Sequence, residues 1–341
     1  MKEQLVQVID KKDLQVLILT DGYNIHHLSG YRGHTGMLVA FQGEQYILTD
    51  SRYTEQVELE APEFTCVDIG REGYSKTIAA MVQKAFAKEL TGMQVEFVPL
   101  EDAVNVYREV KTEDEIAKLA RAEQIGDEAF TEIVKFIHEN WKDGLTEQRV
   151  ALQLEYEMRL RGAEGTSFDT IAASGSNSSL PHAMPQPKLL TEGDFLTMDF
   201  GCMYQGYCSD MTRTIHIGEV VESEQKKVYD TVLQAQLAAL SVVKPGMVCS
   251  DVDKCARDII ADAGYGDYFG HGLGHSVGLF IHEEPRFSMK CDAVLKPGVV
   301  ITVEPGIYLP GRFGVRIEDM IVVTEDGYQN LASSPKELIC V

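Results

Sequence analysis

The sequence predicts an α/β domain followed by a larger α+β domain built from two similar halves. Three observations predict it. Short β-branched runs share the first hundred residues with an amphipathic helical segment, a helix-capping sequence opens a long helical stretch near residue 112, and a segment around residue 190 recurs around residue 295. At 341 residues and 37.9 kDa the chain has the length for two domains of ordinary size. Its 44% apolar and 25% charged content is that of a globular protein.

In chain order, residues 14–20, 37–41, 46–49 and 64–69 read as strands by length and β-branched content, and 75–90 reads as an amphipathic helix. Thr112-Glu-Asp-Glu115 is a capping box, with Ile116, Leu119 and Ala120 on one face of the helix it opens. These readings divide the chain into residues 1–111 and 112–341. No stretch rich in Pro, Gly or Ser separates the two, which predicts packed rather than tethered domains.

The repeat aligns Leu190-TEGDFLTMDFG with Leu295-KPGVVITVEPG at an offset of 105. Leu190, Gly193, Thr197, Asp199 and Gly201 fall on Leu295, Gly298, Thr302, Glu304 and Gly306. Upstream, Lys142-Asp-Gly144 falls on Lys244-Pro-Gly246 and Gly162 on Gly264. Each copy therefore reads helix, Lys-x-Gly turn, helix, glycine and a strand ending in a carboxylate. Ser250-x-x-Asp253 reads as the start of the helix after the second turn. Such duplication predicts a pseudo-two-fold domain with its matching strands facing each other.

Each repeated strand is followed by a second acid, Asp210 after Asp199 and Glu318 after Glu304, at spacings that fit a strand, a glycine-bearing turn and a return strand. Asp199 and Asp210 would lie side by side on one hairpin, Glu304 and Glu318 on the other. Two like charges about 4 Å apart repel by roughly 4 kcal/mol at an effective dielectric near 20, so converging carboxylates take up protons or bind cations. Most of the 53 acids are solvated surface residues. Asp199 and Glu304 differ, because each ends an apolar strand where an unpaired charge is costly. An isolated histidine is more often a packed core residue than a ligand, but His271, His275 and His282 fall within a glycine-rich stretch of twelve residues. His182, in SLPHAMP, is a candidate for another wall of the same site. One imidazole with four carboxylates is an oxygen-dominated set that suits Mn²⁺, or Co²⁺ in its place, better than a thiolate-rich zinc site would. Five ligands fit two divalent metal ions sharing carboxylates.

Composition excludes other classes. The formal charge of −22 repels phosphate backbones and anionic membrane surfaces, so no nucleic-acid or membrane partner is expected. The first residues lack the pattern of a secretory signal, and no stretch approaches the roughly 18 apolar residues of a membrane span. Seven scattered cysteines without a Cys-x-x-Cys argue against a disulfide framework and for a reducing cytoplasm.

The segments MDFGCMYQGYCSDMTRT, HGLGHSVGLFIHEEP, VEPGIYLPGRFGVRIED and FDTIAASGSNSSLPHAMP resemble the ligand motifs of the pita-bread dinuclear metallopeptidases. The resemblance covers nearly the whole chain and implies a creatinase-like α/β N-terminal domain before an α+β pita-bread catalytic domain with its pseudo-two-fold repeat. Within the family the chain looks most like Xaa-Pro aminopeptidases and Xaa-Pro dipeptidases (prolidases). The resemblance implies that Asp199, Asp210, His275, Glu304 and Glu318 are the metal ligands, with Asp210 and Glu318 bridging. His275 and Glu304 would complete one metal and Asp199 the other. A hydroxide would attack the carbonyl before proline, with Glu304 as proton shuttle and His182 and His282 on the substrate carbonyl and oxyanion. Arg316 would hold the ligand cluster from behind, and His271, Ile281 and Tyr308 would wall the proline pocket. The resemblance also implies a homodimer, with residues 30–34 a candidate contact.

Creatinases of this fold work without metal, which the complete ligand set argues against. Methionine aminopeptidases usually lack the N-terminal domain, and a non-catalytic binding module would have lost ligands. The expected activity is release of the residue before proline from peptides. The alternative is a dipeptidase in which Arg286, four residues after His282, holds the free carboxylate of a dipeptide.

Overall fold

A computed structural model describes residues 2–41, 43–86, 96, 98–100 and 103–341. It divides into two compact units, Met1–Arg108 and Glu109–Val341. The division falls slightly before the boundary expected at the capping box, because Val110 bridges to Val299 and the Lys111 N–H donates to the Gly298 carbonyl.

The first unit runs α1 (Lys2–Lys11), β1 (Leu17–Leu19), α2 (Gly22–Ser29), β2 (Met37–Phe41), β3 (Glu44–Thr49), α3 (Thr54–Glu60), β4 (Thr65–Asp68) and α4 (Gly73–Phe86). The strands form one sheet in that order, antiparallel except for β4 on β3. Alternation along β2 serves two cores. Leu38 and Ala40 join Leu5, Ile25, Leu28 and Val57, while Val39 and Phe41 join Ile78, Met81 and Phe86 of α4. The predicted strands 14–20 and 64–69 shorten to β1 and β4, since a chain end outside the ladder is not strand however apolar it is. The last four residues of the predicted helix 75–90 lie outside the described residues. In the loop 30–34, Tyr31 is buried in this unit's own core and donates its hydroxyl to the Thr35 carbonyl at 2.8 Å.

The second unit runs α5 (Glu113–Asn140), α6 (Glu147–Leu160), β5 (Gly165–Thr166), β6 (Ile171–Ser174), β7 (Phe195–Phe200), β8 (Cys202–Tyr204), β9 (Tyr207–Cys208) and β10 (Met211–His216). It continues through α7 (Ser223–Val242), α8 (Cys249–Asp262), β11 (Gly274–Ser276), β12 (Glu283–Phe287), β13 (Val300–Val303), β14 (Gly306–Leu309), β15 (Phe313–Arg316), β16 (Asp319–Val323) and β17 (Tyr328–Asn330). The capping box forms: the Thr112 N–H donates to Glu115 Oε2 at 2.8 Å, and the Glu115 N–H donates to Thr112 Oγ1 at 3.3 Å. The Ser250 start does not. Helix α8 begins at Cys249 behind Val248, and the Asp253 carboxylate instead pairs with Arg257 and accepts from the Leu273 N–H.

The repeat is realised element by element. Helices α5 and α6 pack on β7 and β10 through Ile125, Phe130, Leu154, Met158, Leu196, Met198 and Ile215. Helices α7 and α8 pack on β13 and β16 through Val228, Val232, Val252, Ile260, Ile301, Val303 and Ile321. The turn glycines match in conformation, Gly144 and Gly246 both at φ 85°, where only glycine is at ease. In each half an antiparallel pair is interrupted at the same end by a small hairpin, β8–β9 between β7 and β10, and β14–β15 between β13 and β16. The halves meet through side chains. Thr197 Oγ1 lies 3.0 Å from Thr214 Oγ1, which donates to the Arg316 carbonyl, also at 3.0 Å.

One buried ion pair locks this junction. Arg213 and Asp319 are 2% and 0% exposed and approach to 2.8 Å. Asp319 also accepts from Gln236, Asn330 and Lys336, and Arg213 donates to the carbonyls of Thr212, Ser334 and Pro335. Removing one partner of such a pair strands the other charge. Asp319→Ala is therefore expected to cost about 3–5 kcal/mol in urea unfolding of the cation-free chain.

Candidate metal centre and substrate cavity

The two strand pairs end at one cavity of about 620 Å³. Asp199 lies near the end of β7, paired with Thr212 and Ile171, and Asp210 immediately precedes β10. Glu304 directly follows β13 and Glu318 directly precedes β16, each one residue beyond the Val303–Asp319 pair. The side-by-side arrangement expected within each hairpin thus holds for Glu304 and Glu318. Asp199 and Asp210 are offset, because the register puts Thr212 opposite Asp199.

All five residues line the cavity. Ligand atoms of Asp210, His275 and Glu318 lie within 4.8 Å of one another. His275 Nε2 is 3.4 Å from Asp210 Oδ2 and 3.5 Å from Glu304 Oε1. Strand β11 carries His275 into the cluster. Its ring is neutral, since burial, with His282 adding to it, pushes the imidazole down to about 3. The Nδ1–H donates to the Ser276 carbonyl at 3.2 Å, which leaves the Nε2 lone pair facing the carboxylates.

The carboxylates are crowded with like charge. Burial pushes Asp210 and Glu318 well above the usual range, and their neighbours Glu304 and Asp199 push both further. Burial likewise takes Glu304 up to about 8, against the pull of Arg316. A divalent cation reverses this repulsion. The fit is also visible at Asp199, whose Oδ1 is buried without a hydrogen-bond partner while its Oδ2 accepts from Arg316 Nη2 at 2.5 Å. An orphaned carboxylate oxygen among four other donors, one of them a neutral imidazole, has the chemistry of a ligand set for divalent metal ions.

Arg316 spends each donor nitrogen on the site. Nε donates to Thr212 Oγ1 at 3.0 Å, and Thr212 Oγ1 donates in turn to Glu318 Oε2 at 2.6 Å. Nη1 donates to the Pro181 carbonyl at 3.2 Å and to the Tyr308 hydroxyl at 2.6 Å. The Tyr308 hydroxyl lies 2.9 Å from His271 Nε2, and His271 Nδ1–H donates to the Gly272 carbonyl at 2.8 Å. Burial and the nearby Arg316 push His271 down to about 4, so this ring too is neutral and accepts the Tyr308 proton.

Of the remaining predicted residues, His182, His271, Ile281, His282 and Arg286 line the cavity. Tyr308 stands behind the wall rather than in it, its hydroxyl taken by His271 and Arg316. The His282 ring packs edge-on against His275 with centroids 4.5 Å apart. Arg286 is 47% exposed and paired at 3.0 Å with Glu284. The residue-type search missed Thr212, which alternation places on the same face as Asp210, two positions earlier. It also missed the apolar wall residues Phe168, Ile171, Met184 and Phe287, which carry no chemical signature.

Comparison with known proteins agrees with this geometry. The model of metallopeptidase family M24 matches residues 117–325, and that of the creatinase/prolidase N-terminal domain matches residues 2–125. The chain is 37% identical to an Xaa-Pro dipeptidase of Pyrococcus horikoshii over 99% of its own length and 98% of the relative's. Among solved structures, an Xaa-Pro dipeptidase from Bacillus anthracis superposes with a TM-score of 0.91 at 38% identity, covering 100% and 99% of the two chains. An X-Pro aminopeptidase from Thermotoga maritima gives 0.85 at 35% identity, covering 98% and 100%. The chain belongs to metallopeptidase family M24, and membership of a metallopeptidase family implies divalent metal ions at a site such as that of Asp210, His275 and Glu318. Among the described residues no helix is long and apolar enough to cross a membrane.

Removal of cations by a chelator is expected to lower the melting temperature, and Mn²⁺ to restore it by several degrees through preferential binding to the folded state. Asp210→Asn and Glu318→Gln should abolish that restoration, read by differential scanning fluorimetry beside metal analysis.

Proposed function

We propose that this enzyme hydrolyses the peptide bond preceding proline and releases the residue at the N-terminus of its substrate. The supporting observation is one cavity lined by five convergent metal-ligand side chains together with His182 and His282. The relatives named for Xaa-Pro bonds point to the same substrate. We assign Asp199, Asp210, His275, Glu304 and Glu318 to a pair of divalent ions, Mn²⁺ or Co²⁺ in its place, which the oxygen-rich donor set favours. Bound there, such ions supply polarisation of a carbonyl and ionisation of a water near neutral pH.

The chain's own residues supply the rest. The Xaa-Pro bond is a tertiary amide without an N–H, and its leaving group is a secondary amine that must gain a proton as it departs. Glu304, at the edge of the cluster beside His275, is the group assigned to carry that proton. His282 is held neutral by burial, with Arg286 beside it lowering its pKa further. It and His182 are assigned as donors to the substrate carbonyl oxygen and to the negative charge that grows there. His271 and Ile281 form the wall offered to the proline ring, and Tyr308 and Arg316 hold His271 and Asp199 in place.

A second reading, restriction to dipeptides, is favoured by Arg286. Its half-exposed guanidinium on the cavity wall is bound to a single exposed carboxylate and is available to a dipeptide's free C-terminus. We further propose a homodimer in the cytoplasm. The dimer rests on the family resemblance, and the reducing compartment on seven cysteines that are all free thiols.

Hydrolysis of Ala-Pro and of Ala-Pro-Ala-Ala by chelated enzyme reloaded with Mn²⁺ tests both readings. Cleavage of both at the bond before proline is expected. Cleavage of the dipeptide alone would establish the dipeptidase and assign Arg286 to the carboxylate. Failure on both with metal bound would overturn the peptidase reading. His282→Ala is expected to lower kcat on the order of 10²-fold, as for loss of one oxyanion donor, with metal content unchanged.

A further inference from the structure

We propose that Glu147 is a positioning residue for His182, clamping both ends of the segment that carries it. The inference rests on the role assigned to His182 above. His182 is exposed at the cavity wall, so the backbone around it sets its position. That backbone leaves β6 at Ser174 and runs through a 3₁₀ turn, Gly175–Ser179, to Gln186.

Glu147, the first residue of α6, is 0% exposed. Its Oε1 accepts from the Ser174 N–H at 2.6 Å and from Ser174 Oγ at 2.8 Å. Its Oε2 accepts from Asn177 Nδ2 at 2.8 Å and from the Gln186 N–H at 2.9 Å. One carboxylate therefore closes the segment 174–186 by binding both of its ends, and each oxygen has two donors, enough to support a buried acid. Asn177 Nδ2 reaches across the segment as well, to the Met184 carbonyl at 3.3 Å. The middle is fixed from the other half of the domain. The Gly314 N–H donates to Ser178 Oγ at 2.9 Å and Arg316 Nη1 to the Pro181 carbonyl. A side chain at 314 would put its Cβ 2.1 Å from the Ser178 carbonyl oxygen, so only glycine allows this approach.

The repeat provides an internal control. Glu147 corresponds to Cys249, the first residue of α8, and the backbone around the two is the same. The Glu147 N–H donates to the Lys188 carbonyl at 3.1 Å, and the Cys249 N–H donates to the equivalent Ala293 carbonyl at 2.9 Å. Yet Cys249 is a buried thiol packed in an apolar core. The fold does not require a carboxylate at this position, whereas the segment bearing His182 uses one.

The test is a double-mutant cycle on Ala-Pro hydrolysis, with metal content and hydrogen exchange of residues 174–186 measured in parallel. Glu147→Gln replaces one accepting oxygen by an NH₂, so the donors of Asn177 and Gln186 that share Oε2 face a donor instead. It is expected to lower kcat/KM on the order of 10²-fold, mostly in kcat, by displacing His182, with metal content unchanged and faster exchange in 174–186. In a His182→Ala background the same change should cost less than about twofold more, because residues acting through one group are not additive. Adding Asn177→Asp to Glu147→Gln gives that NH₂ an acceptor at position 177 while the Gln186 N–H stays unmatched, and should recover a few-fold of the loss. An equal loss with and without His182, or unchanged rates and exchange in Glu147→Gln, would overturn the proposal. If Glu147→Gln does not fold, Glu147→Asp, which keeps the charge and shortens its reach, carries the same cycle. If the wild-type chain cleaves neither peptide, the peptidase reading fails by itself. The clamp is then decided by whether exchange in 174–186 rises while that of α5 does not.

Discussion

Four carboxylates and a neutral imidazole share one buried cavity, and the rest of the catalytic unit is arranged around the cost of putting them there. Each pair of like charges at about 4 Å opposes folding by roughly 4 kcal/mol at a dielectric near 20. Arg316 offsets part of this, as a buried guanidinium 2.5 Å from Asp199. A lysine would bring one point charge. The planar guanidinium also reaches Thr212, Tyr308 and the Pro181 carbonyl in fixed directions, and through Thr212 it orients Glu318. Burial first and the remaining repulsion second push Asp210 and Glu318 upward, and a bound divalent ion would relieve both.

Duplication explains how so many acids reach one place. Each half supplies one carboxylate at the end of an apolar strand and one at the start of its return strand, and the pseudo-two-fold brings the two ends together. The halves have since diverged in what surrounds them. Thr197 Oγ1 donates to the Gly314 carbonyl at 3.3 Å and so ties the first half to the second, whereas its counterpart Thr302 donates to Glu304 and accepts from the His275 N–H. Symmetry brings the four carboxylates together; divergence supplies the two histidine-bearing walls that a symmetric cavity would lack.

The fold class and the convergence of the four carboxylates on one cavity were legible in the sequence because both leave periodic or repeated marks. The offset of Asp199 and Glu304 survives as a spacing, and an acid ending an apolar strand violates hydrophobic patterning in a way that can be counted. Strand ends were less legible: β1 is shorter than its apolar run because register, not hydropathy, decides where a ladder stops. The Ser250 pattern does not cap helix α8 because the Asp253 carboxylate is taken by Arg257, one turn further along the same helix, and by the Leu273 N–H. The partners of Tyr308 were not legible, because an aromatic residue beside a turn shows nothing of where its hydroxyl goes. Thr212, Glu147 and Lys111 could not be found by residue type, since their importance lies in partners more than twenty-five positions away.

The two histidine walls are held by two buried carboxylates in different ways, and the difference follows from what each backbone offers. Around Glu147, β6 and the turn after it present free N–H, hydroxyl and amide donors, so the acid is satisfied without a counter-charge. Around Glu283 the tight passage from Gly278 to Phe280 offers the Phe280 N–H, at 3.1 Å, and a Cβ at Gly278 would stand 2.6 Å from the carboxylate. The other oxygen of Glu283 pairs with Lys111 at 3.2 Å, with both side chains at most 3% exposed. Breaking such a pair would strand a buried charge, so the pair opposes displacement of the segment between Gly278 and Glu283, which carries Ile281 and His282. Each wall is thus anchored to a rigid element outside the cavity, α6 for one and the segment leading into α5 for the other. The histidines inherit fixed positions relative to the carboxylates without contacting those anchors themselves.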